Sequence, residues 1–553
     1  MSCTVEELPL AENNADDASV GGNPHGAATY GTVPENGPAT SDGAKDRLAV
    51  DTLAGSVAVL LVMTVLQRVI GFGRGMLFCR WLDSEQLGLW DVAFGFLNLA
   101  APLAVLGLPG SFGRYVEYYR QRGQLRTFLR RTAAFSGIMT LLAAGGIMLG
   151  RDWCALFVFN RADLGGLMGC LAIALATVIA FNSLVLLLIA VRLHRLVNTL
   201  QFFQSLGFAA LSLLLFQYWQ MSTASAVVAF AASSFICSLA MLGRLRKIWH
   251  AAPESSEPLP HRTMWSKVVP FALWMWATNV LYNLFDIVDR YMILHHSGLD
   301  VHEALRQVGN YHTSRIIPVL LGAVAGLLGA MLTPHLSHDW ECGERAKVSD
   351  RLNLVLKITC LVLLSAAAAT LLGAPILFQF GFQNKYAAGL SVLPWTLAYC
   401  SWFGLFALAQ NYLFCAERAG LSCVALLAGL LLNIGLNMLL LPTWGLHGAV
   451  WATALANLAS LLLVFVFSAA AGMRIHRGTW LLSLAPISLG GGVAGALAML
   501  LTLSLAGCCG EWLFDADEKQ QLLAGFRQCL RRRARPSLSQ EDAENLTAEL
   551  PLV

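Results

Sequence analysis

Charge is scarce in this chain. Asp, Glu, Lys and Arg make up 13% of its 553 residues, against 56% that are hydrophobic. Soluble domains carry roughly twice that share of charge, so a string of soluble domains is excluded. Catalytic motifs are missing too. There is no GxxxxGK[ST] phosphate loop, no GxSxG nucleophile turn and no HExxH helix, and so no nucleotide hydrolysis, serine hydrolysis or zinc protease chemistry through those motifs. The 13 cysteines include no CxxC knuckle, and Cys79, Cys170, Cys237, Cys360, Cys400, Cys415 and Cys423 lie in or beside apolar runs, where cysteine is a small packing residue. A net charge of +3 is nearly neutral. The arginines sit in short clusters between apolar runs, which fits membrane orientation and argues against a nucleic-acid partner.

What the chain does have is long apolar runs, and a helix needs about 20 such residues to cross a bilayer. Residues 1–50, rich in Gly, Ala, Asn, Pro and acidic residues, read as a disordered tail without a secretory signal. The remainder divides into about thirteen candidate spans. They lie near 53–79, 87–111, 132–150, 164–191, 196–217, 223–243, 268–294, 309–333, 353–381, 386–415, 419–441, 446–472 and 479–506. The polar linker 246–267, with prolines at 253, 258 and 260, separates a first six-helix lobe (51–245) from a second (268–475). An extra membrane segment (476–506) and a polar tail (507–553) follow. Weak echoes between the halves, Trp219 with Trp444 and Arg195 with Arg418, fit a transporter built from two related lobes with its substrate site between them.

Loops after even-numbered spans hold the basic residues, from Arg114 to Arg131, then Arg192 and Arg195, then Arg244 to Lys267, and onward to Arg474 and Arg477. The positive-inside rule therefore predicts a cytoplasmic N-terminus in the cell (inner) membrane. Thirteen crossings would export the tail that carries Arg527, Arg531, Arg532, Arg533 and Arg535. Either the last run, with Gly490, Gly491 and Gly492, does not cross simply, or the tail is outside.

Charges inside spans are expensive, on the order of 3 kcal/mol at helix-centre depth, and mark functional candidates. Span one contains Arg68 and Arg74 among Gly71, Gly73 and Gly75, which should loosen the helix and let a ligand approach. Span seven carries Asn279, Asn283, Asp286 and Arg290 on one helical stripe, with Asp289 beside it. Asp286 and Arg290, one turn apart, either neutralise each other or include a proton- or cation-responsive group of a transport cavity. Asp91 and Arg315 add charge at the same end of the bundle. A cavity of mixed sign with several arginines suits an anionic phosphate or pyrophosphate headgroup. His295, His296, His302 and His312 lack regular ligand spacing and read as an interfacial cluster, so no metal site is expected.

Three segments resemble the polysaccharide exporters of the multidrug/oligosaccharidyl-lipid/polysaccharide (MOP) flippase superfamily. They are Arg68-Val-Ile-Gly-Phe-Gly-Arg-Gly75 with Leu82-Asp-Ser-Glu-Gln-Leu-Gly88, then Ile287-Val-Asp-Arg-Tyr-Met-Ile293 with Val308-Gly-Asn-Tyr311, and Leu431-Leu-Asn-Ile-Gly-Leu-Asn-Met-Leu-Leu-Leu-Pro442 with Trp444-Gly-Leu-His-Gly-Ala449. The resemblance spans residues 53–475. It implies an all-α, MATE-like, V-shaped pair of six-helix bundles that alternates access and moves lipid-linked oligosaccharides across the cytoplasmic membrane. By position, Arg68 and Arg74 match the family's first-helix arginines and Asp289-Arg290 its seventh-helix pair. Asp91 and Asp286 fall outside the pattern, and the family's twelve or fourteen helices differ from the thirteen read here.

The expectation is a non-enzymatic flippase for a polyprenyl-pyrophosphate-linked oligosaccharide in surface polysaccharide biosynthesis. Arg68, Arg74 and Arg315 would bind the headgroup. Asp91, Asp286, Asp289 and Arg290 would supply cavity charge and proton or sodium coupling, with no cofactor and no catalytic residue. Expected partners are the lipid-linked substrate, membrane lipid, and the pathway's polymerase and glycosyltransferases. A drug/cation antiporter of the same fold, a polytopic glycosyltransferase or ligase, and a membrane scaffold are the alternatives.

Overall fold

A computed structural model describes residues 53–251, 259–509, 513–515 and 518–520. The N-terminal tail 1–50, residues 252–258 of the linker, and the arginine cluster between 527 and 535 lie outside the described residues. Among the described residues the regular structure is entirely helical. The helices of the first half are α1 (Leu53–Trp81), α2 (Ser84–Ala104), α3 (Phe112–Gln121), α4 (Leu125–Leu149), α5 (Arg151–Phe159), α6 (Gly165–Ala190), α7 (His194–Tyr218), α8 (Thr223–Ala240) and α9 (Leu242–Ala251). Those of the second are α10 (His261–His296), α11 (Val301–Glu341), α12 (Arg345–Ile376), α13 (Ala387–Ala409), α14 (Asn411–Cys415), α15 (Ala419–Ala470), α16 (Arg477–Leu484) and α17 (Gly492–Cys509).

Twelve helical runs among the described residues are long and apolar enough to cross a membrane. The chain is a polytopic all-α membrane protein. One run conceals a turn. α15 has 52 residues, about 78 Å of helix at 1.5 Å per residue, far beyond the ~30 Å of hydrocarbon. At Gly445 the backbone leaves the helix, with φ 53° and ψ −134°, a conformation open to glycine because it lacks a Cβ. Across that turn Gly448 abuts the carbonyl of Leu440 and Gly429 abuts Ser460, while Asn433 Nδ2 lies 3.3 Å from Thr453 Oγ1. The two legs are antiparallel, and they are the expected spans 419–441 and 446–472.

The final apolar run doubles back as well. A 3-10 stretch, Ala485–Gly491, leads to Gly492, whose φ is 65°. Beyond it Gly495 lies against the carbonyl of Ser488, and Leu513 returns so far that its carbonyl touches Gly478. The run expected as a single crossing at 479–506 is therefore a helical hairpin with both ends on one side. This resolves the parity problem in favour of a last run that does not cross simply.

Beyond the hairpin, residues read as the start of a polar tail pack into the protein. The ammonium of Lys357, in α12 and 1% exposed, lies 2.7 and 2.9 Å from the two carboxylate oxygens of Glu518. The sequence reading missed Lys357 because its partner is 161 residues away.

Two groups of helices form the body. α2, α4, α6, α7 and α8 pack on one another, as do α10 to α15, and the groups meet along α2, which touches both α10 and α11. A Cβ at Gly88 would collide with the carbonyl of Leu305, and one at Gly309 with that of Ser84. Glycine at both positions lets the α2 and α11 backbones touch. Nearby, Tyr386 Oη donates to the carbonyl of Leu82 (3.0 Å) and Lys385 Nζ to that of Arg80 (2.7 Å).

At the opposite, arginine-rich end, the basic stretch expected as a loop after span two is instead the amphipathic helix α3. Its Tyr115, Val116 and Tyr119 are buried in a cluster with Met264 and Val268 of α10. Tyr115 Oη donates to the carbonyl of Lys267 (2.8 Å). Arg122 stacks 3.7 Å above the ring of Tyr118, so part of this basic cluster is held by aromatic faces.

Candidate functional site

Between the two helix groups lies a cavity of about 510 Å³ walled by α1, α2, α7, α8, α10 and α11. Its apolar wall includes Phe72, Phe78, Trp90, Phe94, Phe208 and Phe230. Every sequence-predicted charge except Asp289 lines it: Arg68, Arg74, Asp91, Asp286, Arg290 and Arg315.

The charges on α2, α10 and α11 form an alternating chain. Arg290 Nε donates to Asp91 Oδ2 at 2.6 Å, and its Nη1 reaches Asp286 Oδ2 at 3.2 Å. Arg315 Nη2 in turn donates to Asp286 Oδ1. Of the two readings of the Asp286 and Arg290 pair, neutralisation is real but shared, because Asp91 holds Arg290 at the shorter distance. Two carboxylates thus face two guanidiniums. Asp286 is half-exposed while Asp91 and Arg290 are buried and Arg315 nearly so, and buried pairing holds only where the remaining donors and acceptors find partners. Arg315 falls short of that, since its Nε and Nη1 are buried without an acceptor among the described residues.

Arg68 and Arg74 remain outside this balance. Neither has a carboxylate within ion-pair distance among the described residues. Arg74 lies 4.1 Å above the ring of Phe208, a cation–π contact, and Arg68 is exposed toward the cavity. One helix places both. Residues 68 and 74 are six apart, about 1.7 turns of α1 and so about 120° apart around it, and both border the cavity. Contrary to expectation Gly71, Gly73 and Gly75 do not loosen α1, which continues unbroken to Trp81. No neighbouring atom would meet a Cβ at Gly71 or Gly73, and Gly71 lines the cavity with the two arginines.

Asp289 does not join the cavity cluster, which corrects the expectation. Its position is about 100° around the helix from Arg290, so the carboxylate points into the second group of helices, where it is 2% exposed. Tyr311 Oη donates to it at 2.7 Å, Asn433 Nδ2 at 3.0 Å and Asn437 Nδ2 at 3.4 Å. Asn433 also reaches Thr453. No basic group pairs with Asp289 among the described residues, while Asn437 Oδ1 is buried and unpartnered beside it. Asp289 therefore accepts from one hydroxyl and two amides, all of them neutral donors. Asn433 and Asn437 stand in the quoted Leu431–Pro442 motif, but an uncharged amide in an apolar run gave no cost signal.

Three of the four histidines have separate surroundings. His295 stacks on Tyr291 (4.0 Å between rings). His302 Nδ1 lies 2.8 Å from Glu85 Oε1, itself paired with Arg161 at 2.9 Å. His312 is not interfacial: it lines the cavity, with Nδ1 2.8 Å from Asp91 Oδ1. Its spacing of three from Arg315 was the available signal. His476, Asp515 and Glu518 bring ligand-type atoms within 4.8 Å of one another, but the ammonium of Lys357 already takes both oxygens of Glu518.

Two groups of membrane-spanning helices with a charged cavity between them, and the α15 hairpin at Gly445, define a polytopic helical membrane protein. The model of one family, described as Polysaccharide biosynthesis protein, matches residues 53–338, and the chain belongs to that family. It is 21% identical over 448 residues to the Lipid II flippase MurJ of Bacillus subtilis (strain 168), covering 74% of this chain and 81% of that protein. Among solved structures, a Lipid II flippase MurJ in an inward closed conformation superposes with a TM-score of 0.63 at 13% identity, covering 81% of this chain and 98% of that one. An inward-facing multidrug resistance MATE family transporter of the MOP superfamily gives 0.58 at 16% identity, covering 73% and 95%.

Proposed function

We propose that this chain is a non-enzymatic flippase that carries a polyprenyl-pyrophosphate-linked oligosaccharide across the cytoplasmic membrane for surface polysaccharide biosynthesis, by alternating access between its two lobes. The observation that carries this reading is the uncompensated positive charge of Arg68 and Arg74 in a cavity whose other charges are matched. A pyrophosphate diester brings about two negative charges and the bidentate oxygen geometry that guanidinium groups recognise. Arg315, with two unpaired nitrogens, adds donor capacity. Similarity to proteins named as lipid II flippases supports a lipid-linked substrate. The arginine-rich end faces the cytoplasm, as does the N-terminus. Asp289 is the coupling group, taking up a proton or a sodium ion, because it alone among the three acidic candidates has no basic partner among the described residues. The pathway's polymerase and glycosyltransferases are the partners on either side of the transport step.

A drug/cation antiporter of the same fold suits this cavity less well, because Arg68 and Arg74 would repel a cationic drug. The test is surface polymer in cells expressing Arg68→Ala at normal abundance: loss of export supports the headgroup role, and full export removes it. Drug resistance conferred on a pump-deficient host would favour the antiporter.

A further inference from the structure

Asp91 and His312 make a pair that the headgroup reading does not use. Asp91 is 3% exposed, and its carboxylate is divided between two donors, with Oδ2 on Arg290 Nε and Oδ1 facing His312 Nδ1. That second contact fixes the imidazole. With Nδ1 turned to a carboxylate, the proton at Nδ1 is held, and the ring's remaining nitrogen is the one free to gain or lose a proton. His312 lines the cavity, and its Nε2 has no partner among the described residues. The groups that face it are Asp91 from α2, Arg290 and Asp286 from α10, Arg315 from its own helix, and Arg68 and Arg74 from α1 across the cavity.

We infer that His312 is a further, protonation-dependent donor to the substrate's pyrophosphate: the imidazolium Nε2–H donates to a phosphoryl oxygen, and the neutral ring turns a lone pair toward it. This inference rests on the headgroup reading above. Arg68 and Arg74 provide charge at every physiological pH, whereas His312 adds a contact that the pH can remove. Asp91 is then a positioning residue. It selects the tautomer that aims the titrating nitrogen into the cavity. Binding therefore tightens as the pH falls and the ring gains its second proton, and weakens as the pH rises. A charge-assisted hydrogen bond in a partly desolvated cavity changes affinity by about tenfold.

The experiment measures binding of a polyprenyl-pyrophosphoryl N-acetylglucosamine to the full chain in nanodiscs between about pH 5.5 and about pH 8.5. The probe is a pyrophosphate diester whose own charge is constant there, and Trp90 in the cavity wall provides a fluorescence readout. The wild type should lose about tenfold in affinity across that range. His312→Gln should bind with the weaker, high-pH affinity throughout, and His312→Lys with the tighter affinity throughout. Arg68→Ala should bind more weakly at every pH while keeping the slope. A role for His312 in merely packing against Asp91 predicts an unchanged slope in both His312 variants, and that result overturns the inference. If one variant fails to fold, the other still decides. A wild type that does not bind the probe at any pH overturns the headgroup reading, and this inference with it. Binding with no pH slope overturns this inference alone.

Discussion

Removing the carboxylate of Glu518 isolates a buried cation. Lys357 is 1% exposed and its ammonium contacts both oxygens of Glu518, at 2.9 and 2.7 Å. Its other neighbour is the ring of Phe514, 5.5 Å away, a contact worth about 0.5–2 kcal/mol at most. In Glu518→Gln the volume is kept but the charge is gone, and breaking one side of a buried pair costs about 3–5 kcal/mol. Lys357→Met leaves Glu518 with the amide of Asp515, whose nitrogen is 2.9 Å from Oε2, and with His476 3.3 Å from Oε1. It should cost less than Glu518→Gln. The double variant Lys357→Met with Glu518→Leu should recover most of the loss, because apolar replacements of buried pairs are often neutral. Denaturant unfolding of the purified protein in a constant mixed micelle, read by tryptophan fluorescence, gives the four stabilities to be compared. A Glu518→Gln stability within about 0.5 kcal/mol of wild type, the ordinary range for surface substitutions, would refute the claim that this segment is built into the fold.

Other consequences follow from the same contacts. Gly309→Val sets a side chain against the carbonyl of Ser84 and should cost about 1–3 kcal/mol by overpacking. It should also part α2 from α11, raising the labelling of an introduced cysteine at Ser84, and unchanged labelling would count against the tight crossing. Asp289→Asn keeps the shape of the amide and hydroxyl ring and removes the charge, so transport should lose its dependence on the proton or sodium gradient. A retained dependence would transfer that role elsewhere. Reporter fusions at residue 475 and after residue 520 should report the same side of the membrane, as a hairpin at Gly492 requires, and opposite sides would restore a simple crossing.

Much of this was legible in the sequence, and the reasons are specific. Apolar runs fixed the spans because backbone in hydrocarbon must be helical, and the break at Gly445 was visible as Pro442 followed by Thr443, Trp444 and Gly445. Arg68, Arg74, Asp91, Asp286, Arg290 and Arg315 were identifiable because a charge in a span is costly wherever it points. Which way each one points was not. Asp289 sits one residue from Arg290 yet faces the opposite packing group, and only the neighbours on α11 and α15 decide that. His312 was read as part of an interfacial cluster, and Asn433 and Asn437 escaped notice because the cost of an amide in an apolar run is modest. The hairpin at 477–509 was hidden because its two short legs make one continuous apolar stretch, and Lys357 because its counter-charge comes from beyond that hairpin.

The central claim is that uncompensated arginine charge in the cavity captures a pyrophosphate. Its most direct measurement is translocation of a fluorescent lipid-linked oligosaccharide by the reconstituted protein, comparing wild type with the Arg68→Ala, Arg74→Ala double variant at equal insertion. The account predicts a fall of at least about tenfold in the double variant, roughly one charge-assisted contact or more, with partial recovery in Arg68→Lys, Arg74→Lys. A double alanine variant that translocates the lipid at the wild-type rate would contradict it.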